Sequence, residues 1–247
     1  MNDLALLRAH TRVAFLDLVR WPGYVVPTLL FPAMFYVLFD LPFARRHAGI
    51  ADVTTLSFMA FAVVGVALYQ FGVGIAQERG RPWERFLRTL PAPAGVRFGA
   101  RIATAMIFGI LTAGFVAIVA RMLTPIDLSW SQWALVAVYT LCGGVPFVLM
   151  GITLGYWASP RAAVPLATAC NLLLAYGGGL WMPPDDLPGF VAKISPYLPT
   201  RQFGDLLWSV TGYAHAAPAI AGLAVYAAIF ALAAAIGYRR DEHRRYS

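Results

Sequence analysis

Long blocks of apolar residues, nearly free of charge, run through this chain of 247 residues. A block of about 20 such residues is long enough to cross a lipid bilayer as a helix. Charged residues make up only 13% of the chain, whereas soluble domains carry about 25%. Because backbone groups inside a bilayer must be hydrogen-bonded within the protein, the blocks predict membrane-spanning helices rather than a soluble fold.

Six blocks are long enough to span a membrane, and Pro146 and Pro165 lie inside two of them. Proline does not exclude a span, because neighbouring groups in a membrane bundle can satisfy the carbonyl that it frees. We therefore expect an all-α membrane protein with six transmembrane helices in one transmembrane domain over residues 1–247. The predicted parts are an interfacial helix (1–20), a bundle (21–238) with spans near 22–41, 53–76, 102–120, 133–158, 162–182 and 217–238, and a tail (239–247).

The segment over residues 2–20 has an amphipathic pattern. Leu4, Leu7 and Phe15 fall on one face at helical spacing, whereas Arg8 and Arg12 are among the charged residues elsewhere. This pattern favours a helix that lies in the membrane interface rather than crossing the bilayer. A disordered N-terminal tail is the alternative.

The basic residues are distributed unevenly between the two sides of the predicted bundle. With six spans, fourteen of the nineteen Lys and Arg residues lie on the side of the termini, and five lie on the other side. The positive-inside rule places the richer side, with both termini, in the cytoplasm. The net charge of +7 then reflects membrane orientation, and we expect no nucleic-acid partner. The predicted location is a bacterial cytoplasmic membrane.

The cores of the predicted spans contain almost no ionisable residue, and all four histidines lie outside them. Proton-coupled transporters and voltage sensors need titratable or charged groups within the membrane. Uphill transport by this chain would therefore need energy from another subunit. Two other classes remain as alternatives: an energy-independent channel or facilitator, and a membrane enzyme whose acidic candidates would be Asp185, Asp186 and Asp205.

Six arginines are concentrated in the segment Gln77–Ile102, which we call the arginine loop. Within it, Glu84 and Arg88 are four residues apart and can pair on one helix face. Trp83 and Phe86 add apolar side chains. A short charged helix with aromatic side chains fits a cleft on a partner protein, but a basic loop can equally bind anionic lipid. The chain has no phosphate-binding Gly-x-x-x-x-Gly-Lys-Ser/Thr motif of its own.

Two segments of the sequence resemble a known family. The first is "ERGRPWERFLRTLPAP" followed by "VRFGARI", and the second is "GGGLWMPPDDLPGFVAKISPYLPTRQFGDLLW" after the fifth predicted span. In this order and on a six-span layout, they resemble type-2 ABC exporter permeases. One departure is Pro82, where threonine is common in that family. The resemblance implies a membrane permease that exports its substrate.

The resemblance also implies partners and sites. A permease of this type works as a homodimer or heterodimer with two separately encoded ABC ATPase subunits. ATP and magnesium would be bound by the ATPases, so this chain would hold no cofactor, no metal and no catalytic residue. The arginine loop would couple ATP-driven closure to the spans. The residues expected to contact the ATPase are Glu78, Arg79, Glu84, Arg85 and Arg88. A drug-like amphiphile or a lipid is the favoured substrate.

The resemblance also implies that the second segment forms two short helices at the outer leaflet. Asp185 and Asp186 would cap a helix that starts near Leu187, and a metal or substrate-cation role is the less favoured alternative. In the fourth predicted span, Gly151 and Gly155 form a small-x-x-x-small pattern that allows close helix packing. Asn171, in the fifth span, either packs against a neighbouring helix or lines a pathway, and packing is favoured.

Overall fold

The computed structural model describes residues 3–45, 48–79 and 94–243. Within these ranges the chain consists of helices and short connections, with no strand. The prediction of an all-α membrane protein is thereby confirmed. Three of the expected ATPase contacts, Glu84, Arg85 and Arg88, lie outside the described residues.

The helices follow one another with short connections. The α-helices are Asp3–Val19, Pro22–Phe35, Leu41–Ala44, Ala48–Ala67, Gly74–Glu78, Ala94–Leu123, Trp130–Trp157, Ala163–Gly177, Gly189–Ile194, Pro199–Trp208 and Ala216–His243. Two π-helical segments of the described chain, Tyr36–Asp40 and Leu68–Val73, directly follow the helices Pro22–Phe35 and Ala48–Ala67. Three 3₁₀ turns occupy Pro184–Asp186, Ser195–Tyr197 and Ser209–Thr211.

Five helical stretches of the described chain are long and apolar enough to cross a membrane. We number them by chain order as span one (Pro22–Ala44), span two (Gly49–Glu78), span three (Gly99–Leu123), span four (Trp130–Trp157) and span six (Ala216–Asp241).

The fifth predicted span, 162–182, corresponds to the apolar helix Ala163–Gly177, which is shorter than the five candidate spans and is not one of them. We keep the label span five for this helix. Its 15 residues extend about 22 Å at 1.5 Å per residue, less than the ~30 Å of a bilayer core. The helix ends early because Gly179, with φ of 75°, turns the chain in the left-handed region, where glycine is favoured.

Span two is the centre of the bundle. In its most apolar stretch 83% of the residues are buried, compared with 50% or less in the other four long spans. It contacts spans three, four and five and the helix Pro199–Trp208. A helix that is apolar on all sides is stable when other helices surround it, which explains its central position. The arginine loop, which begins in the last two residues of span two, therefore starts at the end of the bundle's most enclosed helix.

The N-terminal segment is a helix, Asp3–Val19, rather than a disordered tail, and it packs beside the first half of span three. A Cβ atom added at Gly99 would lie 3.1 Å from Leu7 Cδ1, so the two helices approach closely there. Further along, the rings of Phe15 and Phe108 lie 5.4 Å apart. The helix and span three are thus joined at two separated points.

At the end of the bundle opposite the arginine loop, the two short helices expected after span five are present as Gly189–Ile194 and Pro199–Trp208. The second is inserted into the bundle. The buried Trp208 donates from Nε1 to Ser57 Oγ of span two at 2.9 Å. The absence of a side chain at Gly143 makes room for Phe203, since an added Cβ would lie 2.6 Å from its ring.

The capping role predicted for Asp185 and Asp186 is wrong. The helix begins at Gly189, after Pro188, and no side chain caps it. Both aspartates lie instead in the 3₁₀ turn Pro184–Asp186, because the prolines of this segment delay the helix. Asp185 Oδ2 accepts a hydrogen bond of 3.2 Å from the Tyr213 hydroxyl. Partial burial and the nearby charge of Asp185 raise the pKa of Tyr213, so the hydroxyl remains a donor.

Candidate functional site

The expected coupling residues Glu78 and Arg79 lie at the end of span two, directly before the undescribed part of the arginine loop. The end of the bundle where they lie also holds the ends of spans four and six and the start of span three. We call it the loop end. Because a force on the loop would reach the spans through its two attachment points, the contacts of these points define the candidate site.

Arg79 connects three spans. Its Nη1 donates to the carbonyl oxygen of Tyr156 at 2.8 Å, and its Nη2 donates to the carbonyl oxygen of Ala158 at 2.7 Å. Nη1 also lies 3.0 Å from Asp241 Oδ1 of span six, forming an ion pair in which both side chains are mostly buried. The planar guanidinium suits this arrangement because it presents several donors in fixed directions. Arg79 therefore holds the end of span two against the ends of spans four and six.

The carbonyl groups of Tyr156 and Ala158, at the end of span four, thus accept hydrogen bonds from Arg79. The last four carbonyls of a helix have no partner within the helix, and a cation near them also interacts favourably with the helix dipole. The guanidinium of Arg79 supplies both the donors and the charge. Since Tyr156 and Ala158 flank the final helical residue, Trp157, Arg79 caps span four from a neighbouring helix.

Spans four and six are joined by further contacts near the same end. Thr153 Oγ1 lies within hydrogen-bond distance, 3.1 Å, of the Phe230 carbonyl, and Trp157 Nε1 donates to the Ala233 carbonyl at 3.1 Å. The guanidinium carbon of Arg240 lies 4.8 Å from the Trp157 ring centroid, a cation–π contact. These contacts make spans four and six one packed pair at the loop end.

On its other side the loop is attached to span three. Glu78 Oε2 accepts a hydrogen bond from Arg101 Nη2 and forms an ion pair with it. Glu78 directly precedes Arg79, and Arg101 lies in the helix that begins at Ala94, after the undescribed part of the loop. The ion pair therefore joins the two ends of the arginine loop. Arg79, next to Glu78, connects the first of these ends to spans four and six.

Glu78 and Arg79 thus have partners within the chain. Their assignment as ATPase contacts came from the family resemblance, and the sequence gave no sign of Tyr156, Ala158 or Asp241 as partners. The one signal for Asp241 is its position, with Glu242, among the four arginines of the C-terminal stretch.

Span two also packs against span four at backbone distance, through the glycines singled out in the sequence. A Cβ added at Gly151 would lie 2.5 Å from the Ala67 carbonyl oxygen, and one added at Gly155 would lie 2.8 Å from that of Phe71. The prediction of close packing at Gly151 and Gly155 is confirmed. The carbonyls come from Leu68–Val73, the π-helical segment of span two, and the residue before it. The contact between spans two and four therefore includes a locally irregular part of span two. π-helical turns of this kind are frequent at functional sites.

Span five contacts span two through polar groups. The hydroxyls of Tyr69 and Thr168 share a hydrogen bond of 2.6 Å. Asn171 is buried against Gly65, where an added Cβ would lie 3.2 Å from its Nδ2. Its Oδ1 has no hydrogen-bond partner among the residues that the structure describes. Asn171 therefore packs against span two, as expected, and keeps one acceptor that the described contacts do not use.

A cavity of about 120 Å³ lies between spans two, three and four. Its walls are apolar, with Val63, Met106 and Val148 among the lining residues, and Thr140 is the lining residue with a polar side chain. Thr140 is buried, and its Oγ1 has no hydrogen-bond partner within the described ranges. The apolar lining suits a hydrocarbon group. No group of three or more His, Cys, Asp and Glu side chains in the described chain could hold a metal ion.

Comparison with known proteins identifies the family. A family model described as the ABC-2 type transporter matches residues 5–210, most of the chain. The chain belongs to the ABC-2 type transporter family. It is also 26% identical over 193 residues to YvfS of Bacillus subtilis (strain 168), a protein named as a transport permease. The match covers 76% of this chain and 78% of the relative.

Membership of the ABC-2 family confirms the resemblance to type-2 ABC permeases. Together with the helical spans, it identifies the chain as a multi-pass membrane protein and a transport permease, a class that is generally not enzymatic. In this family the permease generally works with ABC ATPase partners.

Proposed function

We propose that this chain is the membrane subunit of an ATP-driven exporter. It works as a homodimer or heterodimer with separately encoded ABC ATPase subunits, and ATP and magnesium are bound by those partners. The observation that carries the proposal is the attachment of the arginine loop: Arg79 joins its first end to spans four and six, and Glu78 joins the same end to Arg101 of span three. A displacement of the loop would move several spans together.

The proposed mechanism uses two states of the bundle biased by nucleotide. Glu84, Arg85 and Arg88 contact the ATPase directly, as the family resemblance implies. Glu78, whose side chain is 37% exposed, lies at the edge of that contact. Arg79, whose side chain is 19% exposed, transmits the displacement to Tyr156 and Asp241. Closure of the ATPases would thus tilt the spans from inward-open to outward-open.

The loop end faces the cytoplasm of a bacterial cell in this proposal. The positive-inside rule supports this orientation, because fourteen of nineteen basic residues belong to the loop end and the two termini on its side. An ATPase in the cytoplasm would then have direct access to the arginine loop. The whole chain serves as one permease domain in the plasma membrane.

A drug-like amphiphile or a lipid is the proposed substrate class. The cavity between spans two, three and four supports this choice, because its walls are apolar and Thr140 alone among its lining residues has a hydroxyl side chain. Such a cavity suits a hydrocarbon chain better than a sugar, whose hydroxyls would need several partners.

The test is transport by vesicles that contain the permease with the ATPase that co-purifies with it. We expect nucleotide-dependent accumulation of a fluorescent amphiphile, and its loss in the Glu84→Ala and Arg85→Ala double variant while both proteins remain in the membrane. A permease that retains no ATPase on purification contradicts the proposal. Conductance or equilibration by the permease alone, without nucleotide, would instead identify an energy-independent channel or facilitator.

A further inference from the structure

A groove of about 470 Å³ lies between the N-terminal helix and the first half of span three, at the loop end of the bundle. Leu4, Leu7 and Phe15 line it from the helix, and Ala103 and Ile107 line it from span three. The cavity described above lies elsewhere, between spans two, three and four, and shares none of these residues.

The two walls of the groove are held in place by packing. Leu7 packs against Gly99, where an added Cβ would lie 3.1 Å from Leu7 Cδ1. The ring centroids of Phe15 and Phe108 lie 5.4 Å apart. Since these contacts lie at two separate points along span three, the helix cannot close onto the groove without breaking one of them. The packing of the two helices therefore fixes the position of both groove walls.

Two arginines give the groove a positive edge. Arg8 and Arg12 are four residues apart on the N-terminal helix, both line the groove, and both are exposed. Neither forms an ion pair with any residue that the structure describes. The third polar lining residue, Thr11, donates its hydroxyl to the Leu7 carbonyl at 2.9 Å. Two guanidinium groups without a described acidic partner therefore border an apolar groove.

On span three the groove continues into an apolar surface. Ile107 is 39% exposed, and Leu111 and Ile118, which follow on the same side of the helix, are 47% and 60% exposed. A stripe of exposed aliphatic side chains on a membrane-spanning helix faces hydrocarbon. The groove thus opens at one end on the lipid phase and carries two positive charges along the N-terminal helix.

We propose that the groove binds one anionic phospholipid from the leaflet on the loop side. The phosphate accepts hydrogen bonds from Arg8 and Arg12, since guanidinium groups match phosphate oxygens in charge and geometry. An acyl chain lies between Phe15 and Ile107 and continues along Leu111. An acidic peptide would satisfy the arginines but would place polar backbone against the aliphatic stripe. This site does not depend on ATP coupling or on the transported substrate.

The first experiment measures retention of phosphatidylglycerol by the purified full-length chain, using native mass spectrometry over a lipid titration with phosphatidylcholine as the reference. The Arg8→Gln and Arg12→Gln double variant should bind phosphatidylglycerol about 25-fold more weakly, because each basic residue contributes about fivefold near an anionic lipid. The matched control is Arg20→Gln with Arg161→Gln, which removes the same charge from exposed residues outside the groove. An equal loss in the control overturns the proposal in favour of general surface attraction.

The second experiment keeps both arginines and fills the groove. Ala103→Trp should lower phosphatidylglycerol retention by a similar factor, because the indole would occupy the space of the acyl chain. Unchanged retention would show that the lipid does not enter the groove. Weaker ATPase co-purification in the double arginine variant, with unchanged lipid retention, would identify these arginines as a protein contact and would also overturn the proposal.

A third measurement uses the unaltered chain, so its result does not depend on how a variant folds. A phosphatidylglycerol with a photoactivatable diazirine on one acyl chain is incorporated into bilayer nanodiscs with the protein. Cross-links should be enriched on the peptides that contain Phe15 and Ile107, and excess unlabelled phosphatidylglycerol should displace them. Cross-links spread evenly over all the exposed spans would contradict a defined site.

Discussion

Nη1 of Arg79 lies 2.8 Å from the carbonyl oxygen of Tyr156, a hydrogen bond that joins the first residues of the arginine loop to the end of span four. The same nitrogen pairs with Asp241, 162 residues further along the chain. The ends of spans two, four and six therefore meet at the guanidinium group of Arg79. In an ABC-2 type permease, this arrangement gives a displacement of the loop a direct route into spans four and six.

Replacing Arg79 by lysine should weaken both stability and transport. Lysine keeps the charge but cannot direct donors to Tyr156, Ala158 and Asp241 at once. Buried acceptors left without donors cost about 1–3 kcal/mol in unfolding free energy. Thermal unfolding in detergent and nucleotide-dependent transport measure the two effects. The control is Arg161→Lys, at an exposed residue without a described ion pair; equal changes in both variants would contradict the role of Arg79.

Reversing the Glu78–Arg101 ion pair should affect transport more than stability. Both side chains are partly exposed, and such pairs contribute only about 0.5 kcal/mol. Glu78→Arg alone brings two positive charges together at the base of the loop and should uncouple nucleotide hydrolysis from transport. Adding Arg101→Glu restores opposite charges. A double variant as defective as Glu78→Arg would show that the pair itself does not matter.

Substituting Gly151 by alanine should destabilise the bundle by about 1–3 kcal/mol, the usual cost of overpacking. The new Cβ would lie 2.5 Å from the Ala67 carbonyl oxygen, a distance that only a backbone shift can relieve. Gly114→Ala in span three is the control, because no heavy atom lies within 4 Å of its added Cβ. Since alanine favours helix more than glycine, the control should be neutral or slightly stabilising. Thermal unfolding of the two variants compares them directly.

Replacing Thr140 by valine should stabilise the protein by about 1 kcal/mol, because it removes a buried hydroxyl without a described partner and keeps the shape of the side chain. Thr112→Val is the control. Thr112 is equally buried, but its hydroxyl donates to the Phe108 carbonyl at 2.8 Å, so its loss should not stabilise. Loss of amphiphile transport in Thr140→Val alone would indicate that the hydroxyl contacts the substrate.

The proposed orientation is testable with single cysteines at exposed serines. Ser159 follows span four at the loop end, and Ser131 lies near its start at the opposite end. In intact cells a membrane-impermeant maleimide should label Ser131→Cys and leave Ser159→Cys unlabelled until the membrane is opened. A background with Cys142→Ser and Cys170→Ser removes the native thiols. The reverse labelling pattern would place the loop end outside the cell.

Several features of the site could be predicted from sequence because they depend on local patterns. The Gly151 and Gly155 spacing indicated close helix packing, and the prolines after span five indicated short helices. The capping prediction for Asp185 failed because the prolines moved the start of the helix to Gly189. The partners of Glu78 and Arg79 could not be inferred, because no local pattern specifies which helices meet at the end of a bundle.

The sequence by itself determined that the chain is a helical membrane protein, because a bilayer requires about 20 apolar residues for each helical crossing. It also predicted that the basic residues lie mainly on one side of the membrane. The tertiary structure decided that span two is the enclosed helix and that Arg79 meets Tyr156 and Asp241. It also decided that the N-terminal helix leaves a positively charged groove beside span three. These arrangements follow from how whole helices pack, and hydropathy specifies that a helix is buried in lipid or protein without specifying its neighbours.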